Sequence, residues 1–385
     1  MKPVAPVSCT ASLPFWEDAM RFVLKKTRTN IPLFSDGFPA ASSEGNIYPK
    51  TPNVDWTTSF WPGMLYLCWQ YSHENVFLDT AHALIPSFQE RIEGRRDTQT
   101  HDLGFLYILS CKADWMCTGN IVSKAIALEA ADALMERYVP KAGILQAWGG
   151  MNDPSQQGRM IIDCLMNIPL LFWASKETGN PSYREAAAKH LKNTQTYIIR
   201  PNDTTYHTYY FDVESGEAKY GKTAQGYGDD SCWARGQAWG IYGLGLNYTY
   251  THDPSLLIDA MRLAEYFLAR LPEDLVSYWD LVFTDGDEQR DSSAAAIAAC
   301  GLLELSSLLP PSNTRRQKYE RYALAIMQHL TQAYTSRNLP QANGILLHGV
   351  YSKPANKGVD ECTVWGDYFY TEALVRILKQ PELFW

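Results

Sequence analysis

No stretch of the sequence approaches the roughly 20 consecutive apolar residues that a membrane span requires, so a membrane partner is not expected. The start, Met1 to Cys9, does not have the form of a secretory leader, because its apolar part is short and is broken by Pro3 and Pro6. The eight cysteines, at 9, 68, 111, 117, 164, 232, 300 and 362, form no C-x-x-C pair. Most fall inside apolar helical stretches, which predicts buried thiols in a reducing cytoplasm rather than a disulfide frame. The histidines form neither H-E-x-x-H nor a clustered ligand spacing, so no metal site and no cofactor are expected. There is no surplus of positive charge either: 34 Lys and Arg stand against 42 Asp and Glu, a net charge of −8. Binding nucleic acid through its phosphates calls for basic patches, and this balance argues against that class.

What is present is apolar and aromatic. The 385 residues are 46% hydrophobic and include 12 Trp and 23 Tyr, enough for a large core. Such an aromatic load also suits a sugar-stacking cleft, and composition does not separate the two. Helical periodicity recurs twelve times, at about 13–26, 58–71, 75–93, 102–116, 120–138, 162–178, 181–199, 230–250, 254–270, 291–308, 313–336 and 363–379. The stretches alternate in character. Those at 120–138, 254–270 and 313–336 are two-faced, as helices with one wet side are. Residues 102–111, 162–174, 231–246 and 293–305 carry few charges and many small residues, as buried, closely packed helices do. Six buried helices alternating with six amphipathic ones predict an all-α chain, a single (α/α)6 barrel over residues 1–385. An open helical solenoid is the alternative. The oligomeric state is not legible.

The buried stretches share an entry signature: Asp55-Trp56, His101-Asp102, Asp163, Asp229-Asp230, Asp291-Ser292 and Asp360-Glu361. A closed ring delivers these entrances to one end, and a cleft there is expected. Plain N-capping is the competing reading, above all for Asp55, Asp230 and Asp291. Residues 204–223 alternate like a strand around Ser215-Gly216 and predict a short β-hairpin over the mouth. The long loops 139–160 and 338–360 are placed on the same rim. Gly216 to Thr223 matches the phosphate-loop pattern G-x-x-x-x-G-K-T, but Ala224-Gln-Gly-Tyr-Gly follows where a helix should begin. Nucleotide binding is rejected on that ground.

Asp163 and Asn167 are the only polar residues in Met160-Ile-Ile-Asp-Cys-Leu-Met-Asn-Ile-Pro-Leu-Leu-Phe-Trp-Ala174, and four residues apart they share a helical face. Desolvation raises the pKa of such an acid, as a general acid near neutral pH requires. Asp102 likewise enters an apolar helix; if the two helices are neighbours, the acids face each other and one keeps its proton. Pro169 should distort the helix just beyond Asp163. Arg235, in the aromatic, Gly-rich stretch 230–240, needs an anionic partner, either an internal Asp or a substrate carboxylate. His207 sits on the expected hairpin. Trp56, Trp148 and Trp239 suit either sugar stacking or the core.

Together these segments resemble the unsaturated glucuronyl hydrolases, glycoside hydrolase family 88. The resemblance rests on His101-Asp-Leu-Gly-Phe-Leu-Tyr107, Ile162 to Ala174, Gln225-Gly-Tyr-Gly-Asp-Asp-Ser231 and Trp233-Ala-Arg-Gly-Gln-Ala-Trp-Gly240, and it runs from about residue 50 to near the end. It implies an (α/α)6 barrel that removes a Δ4,5-unsaturated uronic acid from lyase-generated glycosaminoglycan-type oligosaccharides. It implies Asp163 as general acid and base with Asp102 as its neighbour. It implies Trp56, Trp148, His207, Gln225, Arg235 and Trp239 around the uronate, and Tyr351, Ser352 and Lys357 near the leaving amino sugar. Lys357 would meet a sulfate there, although Ala355 replaces a Ser of some relatives. The unsaturated rhamnogalacturonyl hydrolases share Trp-Ala-Arg-Gly-Gln and are the alternative enzyme; a non-catalytic helical-repeat scaffold is the alternative of another class.

Overall fold

A computed structural model describes residues 9–379 and 381–385; Met1 to Ser8, most of the stretch read against a leader, lie outside the described residues. Twelve helical stretches alternate between two layers. The outer α1 (Leu13–Asn30) precedes the inner α2 (Phe60–Ser72), and the outer α3 (Asn75–Ala83) and α4 (Ile85–Glu93) follow. The inner α5 (Leu103–Tyr107) runs through a π-turn (Ile108–Lys112) into α6 (Ala113–Thr118), and α7 (Ile121–Met135) lies outside it. Then come the inner α8 (Cys164–Asn167) and α9 (Pro169–Thr178), and the outer α10 (Pro181–Asn193), which ends in a second π-turn (Thr194–Ile198). The inner α11 (Ala234–Thr251), outer α12 (Pro254–Ala269), inner α13 (Ser292–Leu308), outer α14 (Thr314–Ala333) and inner α15 (Val364–Lys379) complete the order.

The inner layer closes on itself. α2 packs on the first π-turn, α5 on α8, α8 on α11, α11 on α13, α13 on α15, and α15 back on α2. This is an (α/α)6 barrel, and the ring excludes the open solenoid. Burial follows the two helix characters read from sequence. α11 is buried without a break from Ala234 to Asn247, whereas α14 buries only one stripe, with Tyr319, Ile326 and Leu330 in it. Each large apolar side chain so buried contributes on the order of 1.5–3 kcal/mol. No helix among the described residues is long and apolar enough to cross a membrane.

Four expected helices are interrupted. Pro169 opens α9 after the one-turn α8, as its missing amide predicts, and Pro86 stands in the first turn of α4 after the break at Leu84. The two π-turns interrupt 102–116 and 181–199, and an inserted residue of that kind leaves no periodicity signal.

Short antiparallel pairs decorate the ring: β1 (Phe38–Pro39) with β2 (Lys50–Thr51), and β3 (Tyr138–Val139) with β4 (Ile144–Leu145). The expected hairpin is present as β6 (Thr208–Phe211) and β7 (Ala218–Lys222), but β5 (Arg159–Ile161) makes it a three-stranded sheet. Met160 pairs with Tyr209, so the sheet holds the chain just ahead of Asp163. Another hairpin, β8 (Gly349–Ser352) with β9 (Lys357–Glu361), completes the set. The phosphate-loop match lies on β7, and the next helix begins only at Ala234, so it is no phosphate loop.

Glycines set the closest approaches within the ring. A Cβ on Gly104 would lie 2.3 Å from the Asn167 Cα and 2.4 Å from its carbonyl oxygen. A backbone cannot give way as a side-chain tip can, so α5 and α8 touch at this spacing only with glycine at 104. We expect Gly104→Ala to destabilise the fold by about 1–3 kcal/mol or more, read as a lower urea midpoint. A midpoint equal to wild type would show that the α5–α8 contact yields freely.

Candidate active site

The inner helices bring their N-terminal ends to one cavity of ≈ 240 Å³. Trp56, Trp148, Trp233 and Trp239 line it, together with Asp102, Asp163, Gln225, Arg235 and Tyr351. Asp102 and Asp163 immediately precede α5 and α8, so the Gly104 contact is what draws the two acids together.

Between them stands His101. Its Nε2 lies 3.4 Å from Asp102 Oδ1 and 3.2 Å from Asp163 Oδ1, shared between both rather than aligned on either. The ring is fully buried. Burial alone would lower the imidazolium pKa, but the Asp102 carboxylate, assisted by Asp163, carries it well above the ordinary histidine value. The acids diverge. Burial pushes Asp163 up against the pull of His101, and the charge of Asp102 adds to the rise. Burial would raise Asp102 too, but His101, Thr100 and Asn167 outweigh it and hold that carboxyl below its usual range. Thr100 Oγ1 donates to Asp102 Oδ2 at 2.7 Å, and Asn167 Nδ2 reaches Asp102 Oδ1 at 3.5 Å. The two acids are therefore shifted in opposite directions, Asp163 towards holding a proton and Asp102 towards its ionised form.

Neither acid caps its helix through its side chain. Capping also fails for Asp55, which adopts a left-handed backbone (φ +76°) and bonds its own neighbour Trp56 N, and for Asp230, since Trp233 occupies the N-cap of α11. It holds for Asp291, which accepts from Ser293 N and Ala294 N. Of the two partners foreseen for Arg235, the internal one is present. Nη1 donates to Asp291 Oδ2 (3.3 Å) and to the Val350 carbonyl, and Nη2 to Gln225 Oε1 (2.6 Å) and the Tyr351 carbonyl (2.6 Å). Its terminal N–H groups are thus engaged within the protein. Arg235 offers the cavity positive charge and a planar face, not the free fork expected for a substrate carboxylate. By taking Oε1, it leaves the Nε2 donor of Gln225 for the cavity.

The sequence-derived residues do not all meet. Trp56, Trp148, Trp239, Gln225, Arg235 and Tyr351 join the two acids around the cavity, whereas His207, Ser352 and Lys357 are not among its lining residues. His207 lies behind the Gln225 loop, against Trp233 (centroids 4.4 Å apart). Its Nδ1 accepts from Ala224 N (2.9 Å) and Gln225 N (3.3 Å), which fixes the neutral Nε2–H tautomer, and burial followed by the Arg235 charge lowers its pKa to about 3. Ser352 is buried on β8. Lys357 is exposed and sits 3.9 Å over the Tyr351 ring, whose hydroxyl accepts from Trp56 Nε1 at 3.0 Å. Sequence reasoning passed over His101 as a bridging cation, Trp233 as a wall and Asp291 as the anchor of Arg235. The available signals were the adjacency of His101 and Asp102 and the place of Trp233 inside the quoted motif.

His101, Asp102 and Asp163 also present three donor atoms within 4.8 Å of one another, a spacing a metal ion could use. The raised pKa of His101 opposes that use, because an imidazolium has no free lone pair.

Residues 36–329 match the model of Glycosyl Hydrolase Family 88. The chain is 44% identical over 368 residues to an unsaturated chondroitin disaccharide hydrolase of Streptococcus pyogenes serotype M1, covering 95% of this chain and 92% of that one. It superposes on the crystal structure of an unsaturated glucuronyl hydrolase from Streptococcus agalactiae with a TM-score of 0.95 at 42% identity, over 99% and 95% of the two chains. An Asp-to-Asn variant of that streptococcal enzyme, complexed with dGlcA-GalNAc6S, matches with a TM-score of 0.87 at 40% identity over the same shares.

The opposed histidines give a direct test. In ¹⁵N spectra, the His101 ring should carry protons on both nitrogens at neutral pH and lose one only above the ordinary histidine range. His207 should keep a bare Nδ1 until the pH falls to about 3. Two rings titrating together near about 6.5 would contradict the assignment.

Proposed function

The chain belongs to Glycosyl Hydrolase Family 88, and from that premise we propose that it removes a Δ4,5-unsaturated uronic acid from the non-reducing end of lyase-generated glycosaminoglycan-type oligosaccharides. A hydrolase family leaves no place for the non-catalytic scaffold. The observation that carries the reading is the pair of acids with opposed pKa shifts at the wall of a tryptophan-lined cavity.

The substrate end is a vinyl ether, so the chemistry differs from that of two carboxylates working at an anomeric carbon. Asp163, the acid with the raised pKa, gives its proton to C4, and positive charge develops at C5. Asp102 stays anionic and His101 stays cationic, so Asp163 can ionise beside an imidazolium that favours the new charge. Water then adds at C5 and yields its proton to Asp163, which restores the starting state. The resulting hemiketal opens and releases the sugar. The cation of Arg235 and the Gln225 amide support the anionic ring, and the tryptophan faces orient it. On this reading Lys357 meets the leaving sugar or a sulfate on it, and its position over the ring of Tyr351, which lines the cavity, supports that role. Eight unpaired cysteines favour a cytoplasmic enzyme, and residues 1–385 are read as one catalytic unit.

Asp163→Asn keeps the shape but supplies no proton, and turnover of an unsaturated disaccharide should fall by about 10²–10⁴-fold or more while the sugar still binds. The measurement is loss of the conjugated ultraviolet absorbance. In heavy water the wild type should place deuterium at C4 of the hydrated intermediate, trapped by rapid quench. Product formed at full rate with only hydrogen at C4 would overturn hydration in favour of ordinary glycoside cleavage. The working acid is the protonated form, so activity should decline as pH rises through the raised pKa of Asp163.

A further inference from the structure

Three of the aromatic side chains that line the cavity carry a cation on the ring. The Arg159 guanidinium carbon lies 4.7 Å from the centre of Trp148, that of Arg235 lies 4.5 Å from Trp233, and Lys357 Nζ lies 3.9 Å from Tyr351. Arg235 lines the cavity itself, whereas Arg159 and Lys357 do not. Each of those two therefore acts on the cavity through the ring it covers. Arg159 opens β5, pairs in register with Tyr210 and has no part in the proton transfers of Asp163.

The guanidinium is held by uncharged partners. Nε donates to the Tyr210 hydroxyl (2.9 Å) and Nη1 to Gln156 Oε1 (2.9 Å), and its carbon lies 5.3 Å from the Tyr210 ring. The elements packed on it carry two acids. Asp153, in the loop of Gln156, gives Oδ1 to Ser155 N and Oγ, and Asp212, just after β6, pairs with Lys219 at 2.9 Å. In the hairpin beyond, Glu214 pairs with Lys141 (3.7 Å), Glu217 is exposed and Lys222 adds an exposed cation. Among the described residues no carboxylate pairs with Arg159, so its charge is not cancelled at short range. That charge reaches inward: behind burial and Arg235, Arg159 helps to lower the pKa of His207 to about 3. A bare indole face is the negative side of the ring and disfavours an anion laid on it. A cation held against the ring offsets that field.

We propose that Arg159 is a specificity-determining residue that acts through Trp148: its charge makes the indole wall accept an anionic uronate ring in preference to a neutral one. The inference rests on the reading of the cavity given above and adds to it a source of the selectivity for a carboxylate. Arg159 touches no reacting atom and is a positioning residue. The substrate carboxylate is charged before and during proton transfer, so loss of Arg159 falls on KM and leaves kcat alone.

The test measures binding by calorimetry in the Asp163→Asn protein, where turnover does not interfere, with residue 159 as Arg, Lys or Gln. Two ligands are compared: a lyase-made unsaturated disaccharide and its uronate methyl ester, which keeps the ring and lacks the charge. A charge held one ring behind the wall acts over about 8–10 Å, and at an effective dielectric near 20 its loss should cost on the order of 5- to 20-fold in affinity. Arg159→Gln should weaken the acid by that factor and the ester by less than about 2-fold. Arg159→Lys keeps the charge and should hold the acid-to-ester ratio within about 3-fold of the parent. With Asp163 intact, Arg159→Gln should raise KM at unchanged kcat. Equal weakening of acid and ester would overturn the proposal by making Arg159 a prop for Trp148, and an unchanged affinity for the acid would overturn it as well. Should Arg159→Gln not fold, the Lys variant decides alone: a collapsed acid-to-ester ratio with the charge retained would contradict the proposal. A wild type that turns over no unsaturated disaccharide would overturn the cavity reading and this inference with it.

Discussion

The burial of His101 between the carboxyl groups of Asp102 and Asp163 is the constraint on which the rest of this site depends. At the separations seen around His101, 3.2 and 3.4 Å, a single charge pair attracts by roughly 5 kcal/mol for an effective dielectric near 20. That is comparable with the several kcal/mol that burying an ion costs. One ionised partner therefore suffices to keep the ring charged, and Asp102, which also accepts from Thr100, is that partner. The second acid, Asp163, is then free to carry a proton. Without the imidazolium, two buried carboxylates would compete for one proton with nothing but hydrogen bonds to separate them.

The barrel exists around that triad in a specific sense. The Gly104 contact brings α5 onto α8, β5 fixes the approach to Asp163, and the Pro169 break limits α8 to one turn. Arg235 performs the corresponding task on the opposite wall. It ties the start of α11 to Asp291 at the head of α13, to Gln225 and to the β8–β9 hairpin. Removing Asp291 would leave a buried guanidinium short of its anion, a change that typically costs about 3–5 kcal/mol. The cation thus holds loops in register as well as lending charge to the cavity.

Much of this was legible from the residues. The alternation of helix character is a direct consequence of which faces meet water, so the two layers could be read. Asp163 stood out because an acid in an apolar run needs a reason, and the motif around Arg235 pointed to a buried cation. What could not be read depends on distance in space. The bridging place of His101 needs two helices to converge at a glycine, and the partner of Arg235 lies 56 residues further on. The π-turns and β5 leave too short a signal. The capping expected of Asp55 and Asp230 failed because composition marks a favourable residue type without fixing which residue takes the cap.

The central claim is that the proton of the acid pair resides on Asp163, with Asp102 ionised and His101 cationic. Neutron diffraction from a deuterium-exchanged crystal near neutral pH tests it most directly. The account predicts nuclear density for deuterium on a carboxyl oxygen of Asp163, on both nitrogens of His101 and on neither oxygen of Asp102. Deuterium on Asp102 with a bare Asp163 carboxylate, or a His101 ring carrying a single deuterium, would contradict it.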